Sequence, residues 1–314
     1  MSTFVHLRTC SAYSLKYGTT QPHDLVARAS EFEMPALALT DRDGLAGGIR
    51  FAQSCVDYGV APIIGIDLAI EAPRMLPRTT LRSLPRLTLL AHGDGGWRSL
   101  VRLLTSLNTY ETPDASSRHA PILTVDFLQQ FSEYSRNLLV LHGPESPIGA
   151  AIALHRSDLA FECFEQTREL FADHAIECVS HLVAGAGPRS TAHAARSLIF
   201  ARDHKMAAVI TNAVRMRDRE DGPIADILDS ARQLVPLHAR HVERKNAEAF
   251  LKSSQEMVAL AEEISRAAGE RTARELLATT REWAERAVLS PTGDIGLGGI
   301  HLPEPRVVGA DSSL

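Results

Sequence analysis

The chain has 314 residues, 45% of them hydrophobic, and a net charge of −5, with an isoelectric point near 6.2. That is enough apolar material for one large α/β domain or a barrel with an appendage, and the charge provides no overall attraction to nucleic acid or to an anionic membrane. Cys10, Cys55, Cys163 and Cys178 are scattered without zinc-site or redox spacing, "MSTFVHLRTC" lacks a signal-peptide pattern, and no run of ~18 apolar residues occurs, so a reduced, soluble, cytoplasmic protein with no membrane contact is expected.

In chain order, Phe4–Leu7, Ala36–Thr40, Pro62–Ile70, Leu87–Ala91, Leu138–His142, Ala175–His181 and Met206–Thr211 read as strands. Pro22–Glu33, Leu45–Tyr58, Gly96–Leu107, Asp158–Phe171 and Thr191–His204 carry helical spacing between them. Such β-α alternation predicts parallel strands joined by crossover helices, a pattern shared by open doubly wound sheets and closed barrels. The proline-rich stretches 71–86 and 109–121 read as loops, and from Asp221 onward helices dominate.

The run "ALALTDRDGLAGG" (36–48) ends an apolar strand on Asp41. A carboxylate at that end of a strand lies where α/β barrels collect reacting groups, while a turn aspartate capping the next helix has the same appearance. His92 and His142 stand after strands and read either as displaced metal ligands or as hydrogen-bonded loop residues. "HARHVERK" (238–245) reads as a solvated basic face or a nucleic-acid contact. "GLGG" (296–299) lacks the strand–helix context of a phosphate loop.

The opening stretch "FVHLRTCSAYSLKYGTTQPHDLVARASEFEMPALALTDRDGLAGGIRFAQSCVDYGVAPIIGIDLAI" resembles a PHP (polymerase and histidinol phosphatase) domain, in the version that begins bacterial DNA polymerase III alpha subunits. The resemblance continues through "RLTLLAHGDGGWRSLVRLLTSLN", "LLVLHGPESPIGAAIAL", "AAVITNAVRMRDREDGPIADILDSARQLVP" and "FLKSSQEMVALAEEI" to "GLGGIHLPEPRVVG". "TDRDGLAG" and "TNAV" are closest in style to the error-prone class of alpha subunits. The resemblance implies an α/β fold, a distorted seven-stranded β/α barrel, over 1–220, a helical extension completing it over 221–290, and an extended tail over 291–314 leading toward a polymerase palm that this sequence lacks.

Active members of that family hold metal ions at the strand ends with histidines, aspartates, a glutamate and sometimes a cysteine, side chains that suit zinc or manganese. Carried over by position, the first His-x-His is His6-Leu7-Arg8 and the Asp-His pair is Asp41-Arg42. The glutamate after the next strand becomes Asp67, the histidine before "LTLLA" becomes Arg86, the cysteine falls near Pro144, and the last Asp-x-His is Ala213-Val214-Arg215. Only His6, Asp41 and Asp67 remain as residual metal candidates. Guanidinium offers no lone pair to a metal and stays protonated, so a degenerate site is expected in which Arg8, Arg42, Arg86 and Arg215 neutralise Asp41 and Asp67. Ser11, Tyr13 and Ser14 match a segment that lines the barrel mouth in the family and carry no expected chemistry.

The resemblance then implies a non-catalytic module in DNA replication, or in error-prone repair and translesion synthesis, without a metal cofactor. Its partners would be a polymerase core or other replication and repair proteins, with DNA contact at most indirect. The alternative is a zinc- or manganese-dependent PHP phosphoesterase or 3′→5′ exonuclease. An arginine cluster that grips a phosphate or DNA end is the other reading of the same residues.

Overall fold

The structure is a computed structural model that describes residues 3–77, 84–109, 122–171, 173–238, 240–242 and 244–299. Strands β1 (Ala36–Arg42), β2 (Ala61–Ile70), β3 (Arg86–Ala91), β4 (Ile122–Leu123), β5 (Leu138–His142), β6 (Asp173–Cys178) and β7 (Ala207–Ile210) form one curled sheet. Its order is β1-β2-β3-β5-β6-β7, with the short β4 paired to β2. Helices α1 (Pro22–Glu31), α2 (Gly48–Tyr58), α3 (Gly96–Thr109), α4 (Val125–Gln130), α5 (Pro147–Ala153), α6 (Ser157–Arg168), α7 (Thr191–Asp203), α8 (Gly222–Gln233), α9 (Ser254–Ala267) and α10 (Arg274–Ala287) surround it. Among the described residues no helix is long and apolar enough to cross a membrane. The expected tail over 291–314 falls mostly on residues 300–314, outside the described ones.

Two expectations from the strand pattern need correction. Strand β3 is antiparallel to both neighbours, β2 and β5, whereas the alternation predicted parallel strands throughout. The connection preceding it carries Pro73, Pro77 and Pro85 and no crossover-helix pattern, and without a crossover the chain returns in the opposite direction. Phe4–Leu7, expected as a regular strand, instead belongs to an extended N-terminal segment wedged between β1 and the residues after β7. On one side the amides of Ala38 and Thr40 donate to the carbonyls of His6 and Thr9. On the other, Val214 donates to the Arg8 carbonyl and Cys10 to the Val214 carbonyl. Between those first two bonds β1 advances from 38 to 40 while the segment advances from 6 to 9, which inserts one extra residue as a β-bulge does. Leu7 and Arg8, adjacent in sequence, both turn toward the interior as a result.

Strand alternation divides the core into an inside and an outside. Inside, Val5, Leu7, Ala36, Ala38, Ile63, Leu90, Leu139, Leu141, Ala175 and Val209 pack on Trp283, Ala284 and Ala287 of α10. That helix fills one end of the barrel, tied to strand beginnings by Arg286–Asp173 at 2.6 Å and by Leu289 N–H to the Pro62 carbonyl at 2.9 Å. Outside, Leu37, Leu39, Ile64, Ile66, Leu68, Leu87 and Leu89 pack under α1, α2 and α3. All four cysteines are buried and unpaired.

Gly65 shows how tightly the inside is filled, since a Cβ there would lie 2.4 Å from the Leu89 carbonyl oxygen and 2.7 Å from Leu90 Cδ2. Gly65→Ala is expected to destabilise the protein by about 1–3 kcal/mol in urea denaturation. Gly187→Ala, where nothing lies within 4 Å, is expected to stay within about 0.5 kcal/mol of the wild type.

Candidate functional site

The end of the barrel opposite α10 is lined by charge. Alternation along β2 brings Asp67 inward, two residues beyond Gly65, and alternation along β6 does the same for Glu177, two beyond Ala175. Arg42, the last residue of β1, stands in register with Asp67. Because β3 runs backward, its first residue, Arg86, reaches the same end. Arg8 comes from the bulged N-terminal segment, Glu145 from the turn after β5, and Arg189 from the loop after β6.

Fully buried Asp67 is the centre of this group. Its Oδ2 lies 3.1 Å from Arg8 Nη2 and 3.4 Å from Arg42 Nε, and its Oδ1 accepts from Arg86 Nε at 2.9 Å. Glu177 accepts from Arg8 Nη1 at 2.9 Å and from the Thr211 hydroxyl. Glu145 accepts from Arg42 at 2.9 Å and Arg8 at 3.3 Å, and pairs with Arg189 through its other oxygen. Arg86 completes the set with Asp43 at 2.8 Å. Four guanidinium groups thus face four carboxylates, so the mouth is close to neutral. Burial alone pushes the Asp67 carboxyl up, but Arg86, Arg8 and Arg42 together hold it below the usual range. The same competition, with Arg189 the strongest partner, holds Glu145 well below it.

Of the seven residues expected at the mouth, Arg8, Arg42, Asp67 and Arg86 meet. Asp41 does not join them, which corrects the expected arginine pairing. It points out of the barrel, where Ser11 N–H (2.6 Å), the Ser11 hydroxyl (2.8 Å) and the Ser14 hydroxyl (2.7 Å) donate to it. Burial, outweighing these bonds, raises its pKa. Arg215 is also elsewhere, in a two-pronged pair with Asp229 of α8 at 2.8 and 2.9 Å. It is linked to the mouth through Tyr17, whose ring centroid lies 4.2 Å from the Arg215 Cζ and 3.5 Å from the Arg42 Cζ. His6 is fully buried with Nε2 bonded to the Lys252 carbonyl at 2.9 Å, and its Nδ1 has no partner. Burial lowers its pKa to about 4.

Glu145, Glu177, Asp43 and Arg189 were not anticipated. Glu177 carried a signal, a carboxylate in the apolar alternation of a strand, and Glu145 adjoins the position assigned to a lost cysteine. Of the two histidines weighed as displaced ligands, His142 bonds His174 at 2.9 Å and His92 bonds the Arg286 carbonyl at 2.9 Å. In the basic run 238–245, Arg244 is held by Asp226 at 2.6 Å, while 239 and 243 lie outside the described residues.

The donor set does not fit the metal cluster implied by the family resemblance. Among the described residues no group of three or more His, Cys, Asp or Glu side chains is arranged to hold a metal ion, and the mouth carboxylates already face guanidinium.

The family model described as PHP domain matches residues 6–181, more than half of the chain. The DNA polymerase III subunit alpha of Escherichia coli (strain K12) is 28% identical over 96% of this chain and 24% of its own length. That of Caulobacter vibrioides is 30% identical over 67% of this chain and 18% of its own. An error-prone DNA polymerase from Symbiobacterium thermophilum is 27% identical over 82% and 23%, respectively. The chain therefore spans less than a quarter of each of these relatives. Among solved structures, an amidohydrolase from Chromobacterium violaceum is similar at a TM-score of 0.46 and 13% identity, over 68% of this chain and 87% of that one. By the match over residues 6–181, the chain belongs to the PHP domain family and is related to the PHP regions of bacterial DNA polymerase III alpha subunits.

Proposed function

We propose that this chain is the PHP portion of a DNA polymerase III alpha-like protein whose former metal site serves as a structural ion-pair core. In this reading it is a scaffold for a polymerase core or for other replication or error-prone repair proteins in the cytoplasm, and it touches DNA at most indirectly. One observation carries the reading: Arg8, Arg42 and Arg86 converge on Asp67, the carboxylate that would otherwise offer itself to a cation. Guanidinium cannot donate a lone pair, and three fixed positive charges around one carboxylate repel a divalent ion.

Purified protein is expected to carry sub-stoichiometric zinc and manganese by elemental analysis, to hydrolyse neither single-stranded DNA nor a phosphodiester when these metals are added, and to unfold at the same urea concentration with and without EDTA. One tightly held metal ion per chain would overturn the proposal.

Removal of the hub should also cost more than removal of the outward aspartate. Asp67→Ala strands three arginines and is expected to lose about 3–5 kcal/mol in chemical denaturation. Asp41→Ala strands neutral donors only and is expected to lose about 1–3 kcal/mol. The reverse ranking would show that the mouth is not a structural core.

The pH dependence follows from the buried histidines. Burial holds His6 near pKa 4 and His181 near 3 in the folded protein, against ~6.5 unfolded. The unfolded chain therefore binds more protons, and this stability, complete above pH ~6.5, is lost as pH falls toward those lower values. Asp67 and Glu145, also depressed, add a further loss only below pH ~4. Urea titrations are expected to show a plateau from pH 7 to 8 and a decline beginning near 6.5, shallower in His6→Gln.

A further inference from the structure

Away from the mouth, an arginine and a glutamate face the same cleft without forming an ion pair. The cleft, about 590 Å³, lies between α7 and α9 beside the loop that follows β6; its apolar lining includes Leu182, Val183, Ala195 and Ile199, and its charged groups are Arg196 and Glu263. That volume is typical of small-molecule sites.

Arg196 leans back toward the start of α7, as helix side chains do, and donates through Nη2 to the Ala186 carbonyl. Its Nε is buried without an acceptor. Burial lowers the pKa of this guanidinium with no carboxylate opposing it, whereas Arg8, Arg86 and Arg189 are raised by theirs. Across the cleft, Glu263 accepts from the Thr191 hydroxyl through Oε1 at 2.8 Å. Its carboxylate has no cationic partner among the described residues. A ligand that answers both groups carries an anion and a cation close together on an apolar body.

We propose that this cleft binds a free apolar α-amino acid as its zwitterion, with the carboxylate on Arg196, the ammonium on Glu263 and the side chain against Leu182, Val183, Ala195 and Ile199. The planar fork of arginine suits a carboxylate held by two parallel bonds. A simple carboxylic acid would instead bring its charge toward Glu263 with no ammonium to offset it, and an amide would leave Arg196 without its anion.

Calorimetric titration of the full chain with L-leucine, L-leucinamide and 4-methylpentanoate separates these contributions. Saturable binding of one L-leucine per chain is expected, weakened about tenfold or more in each truncated ligand and in Arg196→Met and Glu263→Gln. Equal binding of L-leucine and 4-methylpentanoate, or no saturable binding of L-leucine at millimolar concentration, would overturn the proposal. The ligand series on the wild type decides the matter even where a variant fails to fold.

Discussion

A carboxylate inside a barrel is costly unless positive charge comes with it, and Asp67 brings three arginines to one point. Arg42 arrives by register on β1, Arg86 by the reversal of β3, and Arg8 by the extra residue in the N-terminal segment. Each of those backbone features aims a guanidinium at the same two oxygens. The second ring of partners, Glu145, Glu177, Asp43 and Arg189, then balances the arginines, so no charge at the mouth is left alone. Arginine suits this role because its forked donors serve several carboxylates at once. Arg8 touches Asp67, Glu145 and Glu177, a reach that a single imidazole does not have.

Below that charged layer the barrel is closed by shape. Ala36, Ala38 and Ala175 leave room for the Trp283 ring and the small residues of α10, so the end opposite the mouth is sealed by a helix from far along the chain. A polar, ion-paired layer thus lies at one end and an aromatic plug at the other. Tyr17 extends the mouth sideways by lying against both Arg42 and Arg215, which connects the ion-pair layer to α8.

Most of the elements were legible from periodicity. The predicted strands at Ala36–Thr40, Pro62–Ile70, Leu87–Ala91 and Leu138–His142 coincide with β1, β2, β3 and β5 to within a few residues, because buried strands between proline and glycine leave a clear pattern. The direction of β3 does not show in the alternation of its own residues, which is the same for a parallel and an antiparallel strand; its signal is the helix-free, proline-bearing connection over 71–86. At the mouth, Arg8, Arg42, Asp67 and Arg86 were found because each stands where a family ligand would. Asp41 was placed with them for the same reason, but the strand's two-residue period turns it to the opposite face from Arg42, toward Ser11 and Ser14. Arg189 and Glu145 sit in loops, where no period tells which way a side chain points.

The N-terminal segment lies between β1 and Val214, and Arg8 finds Glu177 across 169 positions of sequence. On a ribosome the first piece of the mouth to emerge therefore waits longest for its place. At ~5–20 residues per second, Glu177 follows Arg8 by about 10–30 s, and Val214 and α10 come later still. Until Val214 arrives, the N-terminal segment is paired on its β1 side only, and the Arg8 carbonyl and Cys10 amide on its other side are unpaired backbone groups of the kind that can template pairing with other chains. The ion-pair layer is thus a late event of synthesis as well as a feature of the finished barrel, and a nascent chain stalled before Val214 exposes both an unpaired strand edge and an incomplete set of countercharges.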